Sequence, residues 1–537
     1  MAARINPNPA AAMTPAQVKR LTAVHGWAGV VLGLVLYVVV VTGTVVVFGH
    51  DLAAWSQGNT RGHLSLSHVG LIDRFVRDIT ERTPKANLGT VNVYGSERGE
   101  LTVATFTRAM HAPSGRKQAF GSIYQMDPDT GRLRTREDGF IYVEPKKHEA
   151  SALEDFLVEL HIRLFVPDPW GSILTGVMGL LVMVTGITGF LMHRHLIRDL
   201  FVAARPGERL VTARDRHILA ATWSLVFAFL LGFTGSFFSF AGTLTFPLVT
   251  QTAFGGDRAE MQRTLFTPKV TPDPRPADVV DLDTVIARST EMAGSPLRFM
   301  RIRNWGRADA TIDIFHWPPR DRLARIHHVF SGADGRFLLS RPRIGHQPSL
   351  GSDLYDLIQP LHFGDFAGVL SKSVWVGLGA AMAYVIISGL QLWVRRRDAD
   401  PLWRGFGRAV TITGYGLPLA VLASAYAFFL AEALDDPFEW TSKGFFIGCA
   451  GAILFGAVTD QRRLASRYRT VLALACMGLP VLRLVLGGTG WAAAITAGDG
   501  TIIGFDLALI VLGAGVWFRR HGPGVRKVAE MKTSEAG

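Results

Sequence analysis

The chain has 537 residues, of which 48% are hydrophobic and 19% charged, and a formal net charge of +12. That balance excludes a disordered chain and points to a membrane protein with sizeable polar parts. The excess positive charge lies in alternate loops between apolar runs, which a membrane topology explains without nucleic acid. The two cysteines, Cys449 and Cys476, sit inside apolar runs and offer neither a disulfide framework nor a thiolate-held metal centre.

Apolar windows at 22–48, 171–192, 218–246, 370–394, 409–431, 444–459, 470–487 and 502–518 predict about eight spans, since roughly 20 apolar residues cross a bilayer core. Residues 1–20 read as a disordered cytoplasmic N-terminus rich in Ala, Pro and Asn. The first span, 21–49, is too long for a signal-peptide core and lacks a small-residue cleavage site, so it is expected to be retained. An outer segment follows at 50–165. It carries a helix near Ile72–Arg82, strands at Thr90–Val93 and Glu100–Phe106, and a hairpin from Ser122–Met126 turning through Asp127–Gly131. A second span (166–195), a cytoplasmic loop (196–216) and a third span (217–246) lead to a second outer segment, 247–364. The same grammar recurs there: a helix near Leu282–Ala293, strands at Phe299–Arg303 and Thr311–Phe315, and a hairpin from Ala324–Phe330 through Ser331–Gly335 to Arg336–Ser340. A fourth span (365–397), an additional four-helix region (398–520) and a cytoplasmic tail (521–537) complete the chain. Arginine-rich loops alternate with the acidic loop Glu432–Glu439, which places both termini in the cytoplasm.

The spans repeat. His25 and Thr42 are 17 positions apart, as are His217 and Thr234, and each threonine opens a Thr-Gly pair. His161 precedes Gly189 by 28 positions, and His362 precedes Gly389 by 27. A helix pair whose members each carry one histidine has therefore been duplicated, together with its outer segment. Inside the later apolar runs, Arg483 and Asp506 are expected to pair with each other, because intramembrane charges are costly alone. The outer histidines His111, His148, His316, His327, His328 and His346 are expected at the surface, with neighbours His327 and His328 on opposite faces of a strand. No Gly-x-Gly-x-x-Gly follows a strand, and no P-loop, HExxH or nucleophile elbow is present, so the chain offers no flavin or nicotinamide site of its own.

The order of these features resembles the PepSY-associated transmembrane proteins over about residues 20–397: a histidine at the helix entrance, a small α+β domain ending in an Asp-x-x-Thr-Gly hairpin, from which the second hairpin departs by reading Asp334-Gly335 without the threonine, and a Leu-His element before the returning helix. That group includes iron-regulated inner-membrane proteins and ferric-siderophore reductases carrying haem b. The resemblance implies a membrane all-α bundle of about eight helices with duplicated helix pairs, plus two small periplasmic α+β PepSY-like domains. It implies an inner-membrane oxidoreductase holding two haems b and reducing a ferric siderophore or other Fe(III) chelate, with electrons from quinol or a separate cytoplasmic reductase. Topology and the repeat then assign His25 and His217 to an inner haem and His161 and His362 to an outer one. His193, at the level of the inner pair, is either an alternative ligand, a supporting donor or a donor to quinol. Arg163, Arg194 and Arg216 are candidates to pair with haem propionates, or serve topology alone. The rival function is a non-enzymatic, membrane-anchored binding or regulatory module for a periplasmic protein or peptidase. A transporter is ranked last, because no broken helix pair surrounds a charged midplane site.

Overall fold

The computed structural model describes the chain apart from residues 1–12, 59–65, 67–70, 97–98, 115, 143–150, 193–208, 267–269, 320–321, 433–435, 499 and 522–537. Helix α1 (Pro15–Val46) is followed by a short α2 (Gly49–Gln57). Then come α3 (Ile72–Arg82), strands β1 (Thr90–Gly95), β2 (Leu101–His111), β3 (Arg116–Met126) and β4 (Leu133–Gly139), α4 (Ala152–Arg163) and α5 (Trp170–Met192). The second half begins with α6 (Arg209–Phe240), which continues through a π-helical turn (Ala241–Thr245) into α7 (Phe246–Ala253). After α8 (Arg258–Phe266) it repeats the first half: α9 (Leu282–Ala293), β5 (Leu297–Arg303), β6 (Thr311–His316), β7 (His327–Ser331), β8 (Phe337–Ser340), α10 (Leu350–Phe363) and α11 (Gly368–Arg395). The remainder is α12 (Pro401–Glu432), α13 (Pro437–Val458), α14 (Gln461–Val485), a short α15 (Trp491–Ala497) and α16 (Thr501–His521). Among the described residues eight helices are long and apolar enough to cross a membrane, and the chain is a multi-pass membrane protein.

Helices α1, α5, α6 and α11 pack as one bundle, and α12 joins it to a second group made by α13, α14 and α16. Tyr37 of α1 donates its hydroxyl to the Gly414 carbonyl of α12 at 2.8 Å.

The two outer segments do not form two small domains, as expected above, but one eight-stranded antiparallel sheet, ordered β4-β3-β2-β1-β5-β6-β7-β8. The join is β1 against β5, with Thr90 opposite Arg303 and Tyr94 opposite Phe299. The reason is edge chemistry. Either half alone would leave the N–H and C=O groups of β1 or β5 unpaired, and the two halves satisfy each other. One sheet face buries Val91, Val93, Met300, Ile302 and Ile312 against Val76, Ile79, Val285 and Ile286 of α3 and α9. The two helices cap each other: Asp73 Oδ1 accepts from Leu282 N, and Asp283 Oδ1 accepts from Ile72 N, both at 3.0 Å.

Three of the histidines expected at the surface are buried instead. His327 and His328 do point to opposite faces, but both faces are covered. His327 donates Nε2–H to Asp313 Oδ1 at 2.8 Å, while Arg303 pairs with the other carboxylate oxygen. On the other face His316 donates Nδ1–H to the Ser295 carbonyl at 2.9 Å, so its Nε2 accepts the Ser289 hydroxyl proton at 2.7 Å. Ser289 Oγ in turn accepts Nδ1–H of His328 at 3.0 Å. His148 lies outside the described residues.

Arg483 and Asp506 pair as expected, at 2.6 Å and almost wholly buried. The carboxylate is fully occupied: it also accepts the indole N–H of Trp55 at 2.9 Å and of Trp491 at 2.8 Å, and Arg483 donates to the Thr489 carbonyl at 2.8 Å. Trp55 belongs to α2, so this network rivets the C-terminal helices to the first half.

Two outcomes follow for unfolding of the full-length protein in detergent. Asp506→Ala strands a buried guanidinium and is expected to cost about 3–5 kcal/mol. Exchanging Arg483 and Asp506 with each other is not expected to restore it, because the two indole donors would then face a cation. Full rescue by the exchange would show that the pair acts without the tryptophans. The second outcome concerns acid. Burial pushes His316 down to about 4 and lowers His327 and His328 as well. The unfolded chain therefore binds more protons below about 6.5, and each histidine contributes stability that is complete above that pH and lost as the pH falls, for His316 through about 4. The unfolding midpoint should drop steadily over that window, by at most about 1.4 kcal/mol per pH unit per histidine. A flat profile in Ser289→Ala and wild type alike would contradict this.

Candidate functional site

The four histidines that mark the repeat are seated by a common device. His25 on α1 donates Nδ1–H to the Thr185 carbonyl and the Thr188 hydroxyl oxygen of α5, both at 3.1 Å. His161 on α4 donates back to α1, to the Val39 carbonyl at 2.9 Å, with Thr42 Oγ1 at 3.5 Å. In the second half His217 on α6 donates to Ser388 Oγ of α11 at 3.0 Å, and His362 on α10 donates to Thr234 Oγ1 of α6 at 2.9 Å. The direction of each bond is decided locally. Every one of these hydroxyls already spends its proton on its own helix: Thr42 on Val38, Thr188 on Val184, Thr234 on Leu230 and Ser388 on Val385. The oxygen can then only accept, so the imidazole carries its proton on Nδ1 and presents a bare Nε2. Among the described residues, all hydrogen bonds of the four rings run through Nδ1.

The glycine of each dipeptide admits the ring. A Cβ on Gly43 would lie 2.6 Å from Cε1 of His161, and on Gly389 3.1 Å from that of His217. At Gly235 and Gly189 the distances to His362 and His25 are 3.3 and 3.4 Å. The Thr-Gly and Ser-Gly pairs that mark the repeat in sequence are thus histidine seats, each serving a histidine from another helix.

The four rings form two pairs. His161 and His362 face each other with ring centres 6.5 Å apart and planes 30° apart. Two imidazoles on opposite sides of one metal need about 6–6.5 Å, from a bond of about 2 Å and roughly 1 Å from nitrogen to ring centre on each side. His25 and His217 line one cavity of about 680 Å³, within the usual range for a small-molecule site of about 300–1,000 Å³. Its walls are apolar and glycine-rich, including Gly33, Leu36, Val182, Gly186 and Met382, and its mouth carries Lys19, Arg214, Arg396 and Arg397. Among the described residues no group of three or more His, Cys, Asp or Glu is placed to hold a metal. The donor set suits a metal that arrives with its equatorial ligands already in place.

The other residues singled out in sequence lie elsewhere. Arg163 is engaged by Glu159 at 3.4 Å and Asp168 at 3.5 Å, on the α4–α5 connection. Arg216 is exposed and does not line the cavity; Arg214 of the same turn does. His193 and Arg194 lie outside the described residues. In sequence the four rim cations and Trp393 read only as topology and interface residues, and the hydroxyl seats have no assigned partner. The doubled Thr-Gly signal was visible there, but nothing in the linear order tells which histidine it serves.

A family model described as the PepSY-associated TM region matches residues 22–396, which spans both helix pairs and the whole sheet. The chain belongs to the PepSY-associated transmembrane family. It is similar to an uncharacterized protein of Pseudomonas aeruginosa, 27% identical over 386 residues that cover 67% of this chain and 92% of that protein. The PepSY-associated match ends one residue after α11, so helices α12 to α16 lie outside it.

The seats rank the glycine variants. Gly43→Ala should cost about 1–3 kcal/mol of unfolding free energy through overpacking on His161. At Gly189 and Gly235 the gain in helix propensity, up to about 1 kcal/mol, should offset the milder contact. Thermal unfolding in detergent checks the order, and a Gly43→Ala protein as stable as Gly189→Ala would refute the seat.

Proposed function

We propose that the protein is a dihaem b reductase of the bacterial inner membrane, passing electrons from quinol or a separate cytoplasmic-side reductase to a periplasmic Fe(III) chelate such as a ferric siderophore. The observation that carries this reading is the shared tautomer: four half-buried histidines in two pairs, each with Nδ1–H consumed by a neighbouring helix and Nε2 left bare. Haem b would fit that donor set, because the porphyrin brings most of the iron's ligands and would ask the protein only for imidazole nitrogens. When bound it supplies one-electron transfer without ligand exchange.

His25 and His217 would hold the inner group, and His161 and His362 the outer one. The carbonyls of Val39 and Thr185 and the hydroxyls of Thr188, Thr234 and Ser388 keep the rings from rotating and raise the basicity of Nε2. Leu36, Met178, Leu181, Val182, Phe227 and Met382 fill the bundle between the two levels and exclude water. A two-electron quinol would release two protons on the donor side and serve two Fe(III) centres in turn. No side-chain acid or base is needed at the acceptor, and Fe(II) is held less tightly by hard oxygen donors, which frees the metal.

Protein purified in detergent from haem-replete cells should give two haems per chain by pyridine haemochrome, and His25→Ala and His161→Ala should each retain one. A colourless protein would overturn the proposal and leave the sheet as a binding or regulatory module on a membrane anchor.

A further inference from the structure

The inner cavity holds a donor without an acceptor. Trp393 Nε1 is buried and has no hydrogen-bond partner, although a buried N–H is normally satisfied. The ring is locked in place: Gly26 lies at its edge, where a Cβ would meet Cζ3 at 2.2 Å, and the Arg397 guanidinium sits 3.6 Å from its centroid. Trp27 and Trp403 pack around it at 5.4 and 6.1 Å between ring centres. Trp393 lines the same cavity as His25 and His217, beside Lys19, Arg214, Arg396 and Arg397, and among the described residues no Asp or Glu lines that cavity. Arg214 also pairs with Asp215 at 3.9 Å.

Ordinary membrane topology explains cations and tryptophans at a cytoplasmic boundary. It does not explain an indole N–H withdrawn from water and left unpaired beside four cations, at the open end of an apolar cavity whose interior carries two bare imidazole nitrogens. A flat apolar molecule with an anionic end would satisfy all of these together: its ring between the histidines, its carboxylates at the rim.

We infer that Trp393, with Lys19, Arg214, Arg396 and Arg397, forms the carboxylate-binding end of the inner cavity, and that the indole N–H donates to one carboxylate of the bound porphyrin. This rests on the haem reading above, and at the inner cavity it puts Trp393 and Arg214 in the place of Arg216 as partners of the propionates. Trp393 occupies the position that His193 holds in the first half of the repeat, so the second half contributes a donor for the carboxylate there.

The test titrates full-length His161→Ala protein, prepared from haem-depleted cells, with iron protoporphyrin IX and separately with its dimethyl ester, following the Soret band. Removing the outer ligand leaves the inner centre to report. The free acid should bind roughly ten- to hundredfold more tightly than the ester, the usual worth of a hydrogen bond to a charged group. Trp393→Phe, which keeps the packing, should lose most of that preference, and Arg396→Gln with Arg397→Gln should lose part of it. Equal binding of acid and ester, or an unchanged preference in Trp393→Phe, would overturn the assignment while leaving the haem reading intact. If neither porphyrin binds a protein that is folded by circular dichroism and gel filtration, both fall.

Discussion

The arrangement of the bundle depends on a hydrogen-bonding constraint: an imidazole N–H inside an apolar helix bundle must find an acceptor. Here the acceptor is always on another helix, and the hydroxyl or carbonyl that supplies it is already committed to accept. That single requirement does three things. It fixes the tautomer, it pins α1 to α4 and α5 and α6 to α10 and α11, and it turns four equivalent nitrogens toward the spaces between the helices. Because the seats are exchanged between helices, no helix positions its own histidine, and neither histidine site can form without its neighbours.

Duplication makes the constraint work twice, and it also explains the sheet. Each half carries four strands and a helix, and each would expose a long inner edge by itself. Pairing β1 with β5 removes both edges, and the reciprocal caps Asp73 and Asp283 hold α3 and α9 in the matching relation above them. The sheet domain is thereby one unit that leads into both helix pairs, through α4 and α10, the two helices that bear His161 and His362. The C-terminal helices, outside the family match, are fastened by a different chemistry. The Arg483–Asp506 pair and its two indole donors are saturated, so they read as a rivet and not as a site awaiting a ligand.

The sequence by itself determined the number and order of spans, the duplication, the limits of α3 and α9, and the four histidines, because each of these is written as a local pattern: apolar runs of bilayer length, alternating strands between turn residues, and equal spacings. It also marked the dipeptides Thr42-Gly43, Thr188-Gly189, Thr234-Gly235 and Ser388-Gly389 without revealing their use. Only the tertiary structure decided which histidine each dipeptide seats, that two domains are one sheet, that His316, His327 and His328 are interior, and that Arg214, Arg396 and Trp393 rather than Arg163 or Arg216 stand at the cavity. All of these are contacts between residues far apart in the chain. A bond between His161 and Val39, or between β1 and β5, leaves no trace in local composition, because it is set by which surfaces can satisfy each other's polar groups once the helices have packed.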